Sequence, residues 1–237
     1  PDFAISLIND CLNVIESNIV LTSENNKILE IGSSSGDFLL NLKNRYPASE
    51  VTGVDPNVEN VEIANKKGCK TIQAFFNKKT ALTFTDKYDF IVLRQVIEHI
   101  FDLDDFFSAL VVVSNEKTQL IIETQSLDWS FEKESIDPYQ SEHIHVFSIH
   151  SLATFAKKYG WIISWYSVTN VGNLIAGFKK TEVEFAVDYF SYHNSLSSYV
   201  TNLKNYIYAN TECKDVVYWG AGSAGRTILY LSDVIPA

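Results

Sequence analysis

The sequence predicts an α/β fold in which helices cover both faces of a doubly wound, mostly parallel sheet. Two observations support this prediction. Short apolar segments of strand length alternate with segments of helical periodicity along most of the 237 residues, which is the pattern of β-α-β units. The first apolar segment also runs into a turn of glycines and serines that opens a helix, in KILEIGSSSGDFLL. We expect seven strands, of which the last two form a hairpin at the edge of the sheet.

The alternating part contains five predicted strands and three predicted helices, preceded by an amphipathic helix. Apolar residues recur at helical spacing between Phe3 and Val20, which predicts that first helix. Pro47 and Gly68 predict where the next two helices end. The predicted strands are Lys27–Ile31, Val51–Val54, Cys69–Gln73, Tyr88–Leu93 and Gln119–Glu123. The predicted helices between them are Gly36–Tyr46, Asn57–Lys67 and Leu103–Val113.

The alternation changes after the fifth predicted strand. Residues Ser126–Gln140 are polar and irregular, which predicts a long connection of the kind that often carries function. A helix is predicted over Ser148–Tyr159, with Gly160 at its end. Two apolar segments, Trp161–Val168 and Leu174–Lys179, are close enough in the sequence to pair as the edge hairpin.

The last part of the chain predicts a second unit. Residues Glu182–Tyr208 are mostly helical in pattern, and a strand at Asp215–Trp219 leads into a second glycine turn, GAGSAG. We therefore divide the chain into a first domain over residues 1–180 and a segment over 181–237. That segment is expected to hold a helical linker and the truncated start of a nucleotide-fold domain. The chain begins at Pro1 and contains no methionine, so we expect parts of the gene product to be missing from it.

Composition narrows the classes of function. Hydrophobic residues make up 46% of the chain and charged residues 20%, the profile of a globular protein with a substantial core. The net charge of −10 argues against a nucleic-acid partner, because binding to phosphates requires Lys and Arg. No signal peptide is visible, and no apolar run approaches the ~20 residues that span a bilayer. Three scattered cysteines, Cys11, Cys69 and Cys213, are expected to be reduced thiols, so we predict a cytoplasmic protein with no membrane partner.

The first glycine turn is predicted to bind a ligand above the sheet. A strand that ends at glycines and opens a helix directs free backbone N–H groups at the space above it. The residues from Glu30 to Gly36 do not have the G-x-G-x-x-G spacing of dinucleotide folds and fit an acid-x-G-x-small-x-G pattern. Asp55 ends the second predicted strand 19 positions after Gly36, near the ~20 expected for an acid that binds ribose hydroxyls. Since Glu30 would repel a phosphate and suits an amine, the two acids favour a ligand with a ribose and an ammonium but no pyrophosphate.

These residues resemble the class I S-adenosylmethionine-dependent methyltransferases. That family has E/D-x-G-x-G-x-G as its first motif and an acid that ends its second strand, here EIGSSSG and VTGVDPN. The segment YDFIVLRQVIEHIFDLDDFF is similar to the family's fourth strand and following helix. Within the family, EIGSSSGDFL, VTGVDPN, FFNKKTA and SEHIHVFSIHSLATFAKKYGW look like the branch of sugar C-methyltransferases. DVVYWGAGSAGRTILYL resembles the start of that branch's C-terminal nucleotide-fold domain, and the resemblance covers most of residues 28–231.

The resemblance implies a Rossmann-like fold with S-adenosylmethionine as cofactor. It implies that the glycines of the first turn pass close to the methionyl part and that the turn's acid lies beneath the amino group. The acid after the second strand would bind the ribose hydroxyls, and the following proline would lie against the adenine. Gln95 would line the cofactor near the reacting methyl, and Phe75 or Phe76 would pack on the adenine unless both belong to the core. The residues implied at the cofactor are Glu30, Gly32, Ser34, Gly36, Asp55, Pro56, Phe76 and Gln95.

His143 is the candidate general base, with Glu142 beside it. In SEHIHVF, His143 matches the catalytic histidine of the branch, and Glu142 would orient its ring or touch the substrate. His145 would share a face with His143 in an extended segment. No third ligand follows at a suitable spacing, so no metal site is predicted. His99, in IEHI, is expected to pack in the core or to start a helix.

The acceptor is expected to be a small molecule, namely a sugar, a nucleotide-linked sugar or a glycan-related compound. Gln140 and Ser141 stand where the branch has a tyrosine and a further histidine, and the branch's cysteine-rich N-terminal zinc module has no counterpart here. These departures leave open whether the methylated atom is carbon, oxygen or nitrogen. The sequence does not predict the oligomeric state.

Two other functions are left open. The GAGSAG turn matches G-x-G-x-x-G, so the chain could be an NAD-dependent oxidoreductase whose first half is a substrate domain. The chain ends before the acid that such a fold places ~20 residues further on. The other alternative is a non-catalytic methyltransferase-like domain that binds a partner or a metabolite, which Gln140 and Ser141 favour. Intact acids and glycines in the first turn argue that such a domain would still bind the cofactor.

Overall fold

The computed structural model describes residues 2–19, 26–136 and 139–181, together with 201 and 205. The strands are β1 (Lys27–Ile31), β2 (Glu50–Asp55), β3 (Lys70–Gln73), β4 (Tyr88–Arg94), β5 (Ser114–Gln125), β6 (Trp161–Val168) and β7 (Asn173–Lys180). The helices are α1 (Asp2–Asn18), α2 (Asp37–Arg45), α3 (Val58–Lys66), α4 (Lys78–Ala81), α5 (Leu103–Val113), α6 (Leu127–Glu132) and α7 (Ile149–Lys157). All seven strands form one sheet in the order β3-β2-β1-β4-β5-β7-β6, which confirms the predicted fold class.

The sheet is parallel from β1 to β5 and antiparallel at one edge. Strand β1 pairs in parallel with both β2 and β4, so the order of the strands reverses between β1 and β4. In open α/β sheets, ligands bind outside the carboxyl ends of the strands at such a reversal. Strand β7 lies antiparallel between β5 and β6, as the predicted hairpin requires. The topology therefore predicts a ligand site at the ends of β1, β2 and β4.

Helices cover both faces of the sheet because the central strands are apolar on both sides. Along β1, Ile28 belongs to one buried cluster and Leu29 to another, as expected for neighbouring residues that point to opposite faces. Helix α1 packs Leu12 against the first cluster, and helix α5 packs Phe107 against the second. The predicted amphipathic helix at the start of the chain is thus confirmed and forms part of the core.

Two short helices were not predicted. The connection Ser126–Gln140, expected to be irregular, contains α6, and the side chain of Ser126 caps this helix by accepting the N–H of Trp129. Helix α4 is four residues long, and the side chain of Asn77 caps it in the same way. Helices of one or two turns are too short to show a 3.6-residue period, which explains why pattern analysis missed them.

The predicted second unit lies mostly outside the described residues. Of the segment 181–237, the structure describes residues 181, 201 and 205, so the helical linker, Cys213 and the GAGSAG turn have no structural account. Within the described part of the chain, no helix combines the length and the apolar character needed to cross a membrane.

Candidate functional site

A cleft of about 710 Å³ opens at the carboxyl ends of β1, β2 and β4. Its walls come from the turn after β1, the end of β2, the loop after β3 and the segment that follows β4. Six of the residues that the sequence analysis assigned to the cofactor line this cleft, namely Gly32, Ser34, Asp55, Pro56, Phe76 and Gln95. The predicted turn and the end of the second strand therefore meet in one site.

The turn after β1 requires glycine at its first position. Gly32 has a φ of +72°, and a Cβ added there would lie 2.3 Å from Cγ2 of Val96. Its N–H donates to the carbonyl of Val54 at 2.8 Å, so the turn folds against the end of β2. Ser34 follows with a φ of +46°, an unusual angle for a residue with a side chain. The backbone at this wall of the cleft is thus tightly bent.

Gly36 lies behind the turn, at the start of helix α2. It does not line the cleft, and with a φ of +79° it forms the cap before helix α2. A Cβ at this position would lie 2.8 Å from Cβ of Ala64, on helix α3. Gly36 therefore allows two helices to approach closely behind the turn, and it does not stand at the cleft surface.

Asp55 lies at the base of the cleft with 6% of its surface exposed. Its two carboxylate oxygens accept the N–H groups of Ser34 at 2.8 Å and Asn57 at 2.9 Å. These bonds join the turn after β1 to the start of helix α3. Each carboxylate oxygen can accept a second hydrogen bond, so Asp55 can still bind a hydroxyl of a ligand.

Glu30 is buried within β1 below the turn and does not line the cleft. Within the described part of the chain its Oε2 has no hydrogen-bond partner. Burial raises the pKa of Glu30 well above its ordinary value of 4.5, although the nearby Arg94 guanidinium acts in the opposite direction. A cationic group placed in the cleft would favour the charged form of this carboxyl.

The sequence left open whether Phe75 and Phe76 pack on the adenine or in the core, and the structure places the two residues differently. Phe75 is 74% exposed at the cleft, whereas Phe76 is half-buried. The Phe76 ring packs edge-on against Phe106 at a centroid distance of 5.6 Å and against Phe84 at 6.4 Å. Phe76 therefore belongs both to the core and to the cleft wall, and Phe75 offers the freer aromatic face.

Gln95 lies at the point where β4 ends and enters the cleft wall. Its backbone has a φ of +51°, and its N–H donates to the carbonyl of Glu123 on β5 at 2.8 Å. Next to it, the Arg94 guanidinium donates to the Glu123 carboxylate at 2.5 Å and lies 4.7 Å from the centre of the Phe38 ring. This buried ion pair holds the end of β4 against β5, beneath the cleft.

The predicted base, His143, is brought beside His99 and not into the cleft wall itself. His143 is buried, and its ring centroid is 4.9 Å from that of His99, which does line the cleft. His99 was expected to be structural. Its position after β4, at the carboxyl end of a central strand, was the signal that could have marked it as a site residue.

Glu142, which the sequence predicts beside the base, is exposed, whereas Glu98 lies with the two histidines. The Glu142 carboxylate is exposed and accepts the hydroxyl of Ser141 at 3.2 Å, while its carbonyl oxygen is 3.1 Å from Nδ1 of His99. Glu98, which the sequence analysis did not single out, is buried, and the two histidines form a cluster with it. Burial raises the pKa of Glu98 above its ordinary value.

His145 is separated from His143 by the bend of the loop. Its ring lies 5.9 Å from that of Phe147, and burial lowers its pKa. The loop is held by two backbone bonds, because the N–H groups of Ile144 and His145 both donate to the carbonyl of Glu98. Among the described residues, the cluster with Glu98 and His99 includes His143 and does not include His145.

The family model for a methyltransferase domain matches residues 6–163 of this chain. A curated relative, the C-methyltransferase NovU of Streptomyces niveus, is 26% identical over 136 residues. That match covers 56% of this chain and 32% of NovU, so the chain spans about a third of the length of the curated relative it matches.

Solved structures share the fold at low sequence identity. The PH0226 protein of Pyrococcus horikoshii aligns with a TM-score of 0.61 and 15% identity, over 75% of this chain and 91% of that one. The magnesium protoporphyrin IX methyltransferase of Synechocystis PCC 6803, solved with bound SAH, aligns with a TM-score of 0.57 and 13% identity. The latter alignment covers 74% of this chain and 83% of that one.

Proposed function

Because the chain belongs to the methyltransferase-domain family, we propose that it transfers a methyl group from S-adenosylmethionine to a small-molecule acceptor. The family match confirms the methyltransferase domain predicted from the sequence. The observation that carries the proposal is the joining of Asp55 to the turn at Gly32 and Ser34 at the base of the cleft. A ribose-binding acid and a close-approach turn are the two parts that this cofactor requires.

The residues of the cleft fit this cofactor on several physical grounds. Asp55 offers carboxylate lone pairs to ribose hydroxyls, and Gly32 leaves the backbone open to close approach. Phe75 presents an exposed aromatic face for an adenine ring, next to the half-buried Phe76. Glu30 lies beneath the turn, and its Oε2 has no hydrogen-bond partner among the described residues, so a cationic ligand above it would favour its charged form.

The protein has to align the acceptor with the methyl group and to remove a proton from the acceptor. S-adenosylmethionine supplies an electrophilic methyl carbon: as the acceptor atom forms its bond to that carbon, the C–S bond breaks and sulfur keeps the electron pair. Gln95, at the end of β4, is placed to orient groups in the cleft for in-line attack. We assign to His143 the role of the general base that removes the acceptor's proton. His99, which lines the cleft, lies next to the His143 ring. Glu142, which is exposed, is assigned to contact with the acceptor.

The acceptor class is proposed from the motifs of the sequence. The segments that resemble sugar C-methyltransferases favour a sugar, a nucleotide-linked sugar or a glycan-related compound. The relative NovU is named a C-methyltransferase, which supports carbon as one candidate for the methylated atom. The competing functions, an NAD-dependent oxidoreductase and a non-catalytic domain, are separated from this one by ligand binding and by turnover.

The first test is calorimetric titration with S-adenosylhomocysteine and, separately, with NAD. We expect S-adenosylhomocysteine to bind, and Asp55→Asn and Asp55→Ala to weaken it by about tenfold or more, because each loses hydrogen bonds to a charged group. Asp104→Asn, on the exposed surface of α5, is the matched control and should leave the affinity unchanged. Binding of NAD that is insensitive to Asp55 would support the oxidoreductase and contradict the proposal.

A second test separates an enzyme from a binding domain. Methyl transfer to a panel of deoxysugar nucleotides and free sugars is measured with the protein and with His143→Asn. Turnover that His143→Asn lowers by about 100-fold or more supports the assigned base. Tight binding of S-adenosylhomocysteine without turnover on any acceptor of the panel would favour the non-catalytic domain.

A further inference from the structure

We propose that Glu98, His99 and His143 form a binding site for a divalent transition-metal ion beside the cofactor cleft. Each of these residues offers one ligand atom, and these atoms all lie within 4.8 Å of one another. Two imidazoles and a carboxylate are a donor set that zinc and related ions take in catalytic sites, with further positions left open. The cluster joins residues that are distant in the sequence, which is why their spacing did not predict it.

The buried Glu98 carboxylate is the member of the cluster that most favours a bound cation. Glu98 is only 2% exposed, and its Oε1 has no hydrogen-bond partner among the described residues. Its Oε2 accepts the hydroxyl of Thr124 at 3.1 Å, which fixes the carboxylate in one orientation. A buried carboxylate oxygen without a partner is costly, and a cation bound beside it would remove that cost.

The surroundings orient the other ligands as metal sites require. The carbonyl oxygen of Glu142 is 3.1 Å from Nδ1 of His99, so it can accept the N–H of a neutral ring and leave Nε2 to coordinate. The Glu98 carbonyl holds the loop that carries His143, through the N–H groups of Ile144 and His145. One residue thus contributes its side chain to the cluster and its main chain to the support of a second ligand.

The spacing of the ligands indicates which ion is suitable and what must move. Ligand atoms about 2.1 Å from a tetrahedral ion are about 3.4 Å apart, so some of the present separations must shorten. His99 is the exposed member of the cluster and has the freedom to make this adjustment. The nitrogen-rich donor set suits zinc or cobalt and does not suit calcium or magnesium, which prefer oxygen ligands.

The position of the ion gives it a role in the proposed function, on which this part of the inference rests. His99 lines the cleft, so an open coordination position beside it would take an oxygen of the acceptor. The ion would lower the pKa of a coordinated hydroxyl. In the ion-loaded protein His143 would then act as a ligand, and the ion would take over the proton removal that the proposed function assigns to the His143 imidazole.

The test is metal binding by the full chain, measured without turnover. Zinc is titrated calorimetrically into metal-free protein, and cobalt(II) is titrated while its visible absorption is recorded. We expect one ion per chain at micromolar affinity, with the strong visible bands of a low-coordinate cobalt site and without the near-ultraviolet band of a cobalt–thiolate bond. Glu98→Gln, His99→Asn and His143→Asn should each weaken zinc binding at least tenfold, whereas His150→Asn, an exposed histidine on α7, should leave it unchanged.

Three results would contradict the metal site. Zinc binding weaker than millimolar, a thiolate band, or an affinity in all three variants equal to that of the unsubstituted protein would overturn the site. The spectrum of the unsubstituted protein answers the question even where a variant fails to fold. Titration with S-adenosylhomocysteine is run on the same samples, so the loss of the metal site and the loss of the cofactor site appear as separate results.

Discussion

At the scale of single residues, Gly32 combines a backbone requirement with a steric one. We expect Gly32→Ala to lower the free energy of unfolding by about 2 kcal/mol or more, because the new Cβ meets Val96 at a positive φ. Urea denaturation measures this change. Binding of S-adenosylhomocysteine should weaken in parallel, since the turn forms the cleft wall.

Gly68 offers a matched control for that experiment. It also has a positive φ, +82°, but a Cβ there would have no neighbour within 4 Å. Gly68→Ala should therefore show the backbone cost alone, about 1 kcal/mol. Adding Val96→Ala to Gly32→Ala should restore the part due to the clash. Equal losses at both glycines would show that the contact with Val96 is unimportant.

Glu30 is expected to make the free energy of unfolding depend on pH. Burial raises the pKa of the folded-state carboxyl well above 4.5, so the folded protein binds a proton that the unfolded chain releases. The stability that this residue contributes is present below about pH 4.5 and is lost as pH rises through the folded-state pKa. Relative to Glu30→Gln, the free energy of unfolding of the parent should fall by up to about 1.4 kcal/mol per pH unit in that window.

The measurement is urea denaturation of both proteins at several pH values from 4 to 8. The variant replaces the carboxyl with an amide of the same shape and has no proton to lose. The difference between the two proteins, and not the absolute stability, isolates this residue from Glu98 and the other buried groups. Parallel curves would contradict the raised pKa.

At the scale of elements, the start of helix α7 depends on a reciprocal pair of serines. The hydroxyl of Ser148 accepts the N–H of Ser151 at 3.0 Å, and the hydroxyl of Ser151 accepts the N–H of Ser148 at 3.0 Å. Ser148→Ala should cost about 1 kcal/mol of unfolding free energy, measured in urea. Ser108→Ala, within α5, removes only a bond to the carbonyl of Asp104 and should be neutral or slightly stabilising.

The same serine shows why some elements were predictable and others were not. Ser148 stands before a nine-residue apolar periodicity, so both the cap and the helix could be read from the sequence. Helix α6 has a serine cap of the same kind at Ser126, but six residues give too little periodicity to reveal it. Strand β5 begins at Ser114, before the apolar run, where Ser114 pairs with Tyr88 of β4, and it extends beyond that run to Gln125, which pairs with Asn173 of β7.

At the scale of the whole molecule, helix α1 is part of the core and not an appendage. Leu12 is fully buried against the sheet, so Leu12→Ala should lower the free energy of unfolding by about 2–5 kcal/mol. Ile5 lies on the same helix but is 49% exposed, and Ile5→Ala should cost well under 1 kcal/mol. Thermal denaturation would register a clear fall of Tm for the first variant only. Similar values for the two would mean that α1 is not docked as described.

The site as a whole could be predicted where its residues are local and not where it is assembled from distant parts. Asp55 and Gly32 could be assigned because the ends of successive parallel strands meet at one edge of a sheet. The grouping of Glu98 and His99 with His143 depends on how the loop after α6 folds back, and no local pattern specifies that path. Gly36 illustrates a related ambiguity, since one glycine spacing serves both ligand approach and helix packing.

The bent backbone at Ser34 and Gln95 has a consequence for how this protein can change. Three non-glycine residues in the described ranges have a positive φ, and these two line the cleft. A glycine at either position would relieve roughly 1 kcal/mol or more of strain. Selection for heat resistance alone would therefore favour glycine there and would remove the two side chains from the cleft wall. Greater thermal stability and the side chains of the cleft wall are therefore opposed at these two positions. Variants with glycine there should be more stable and less active.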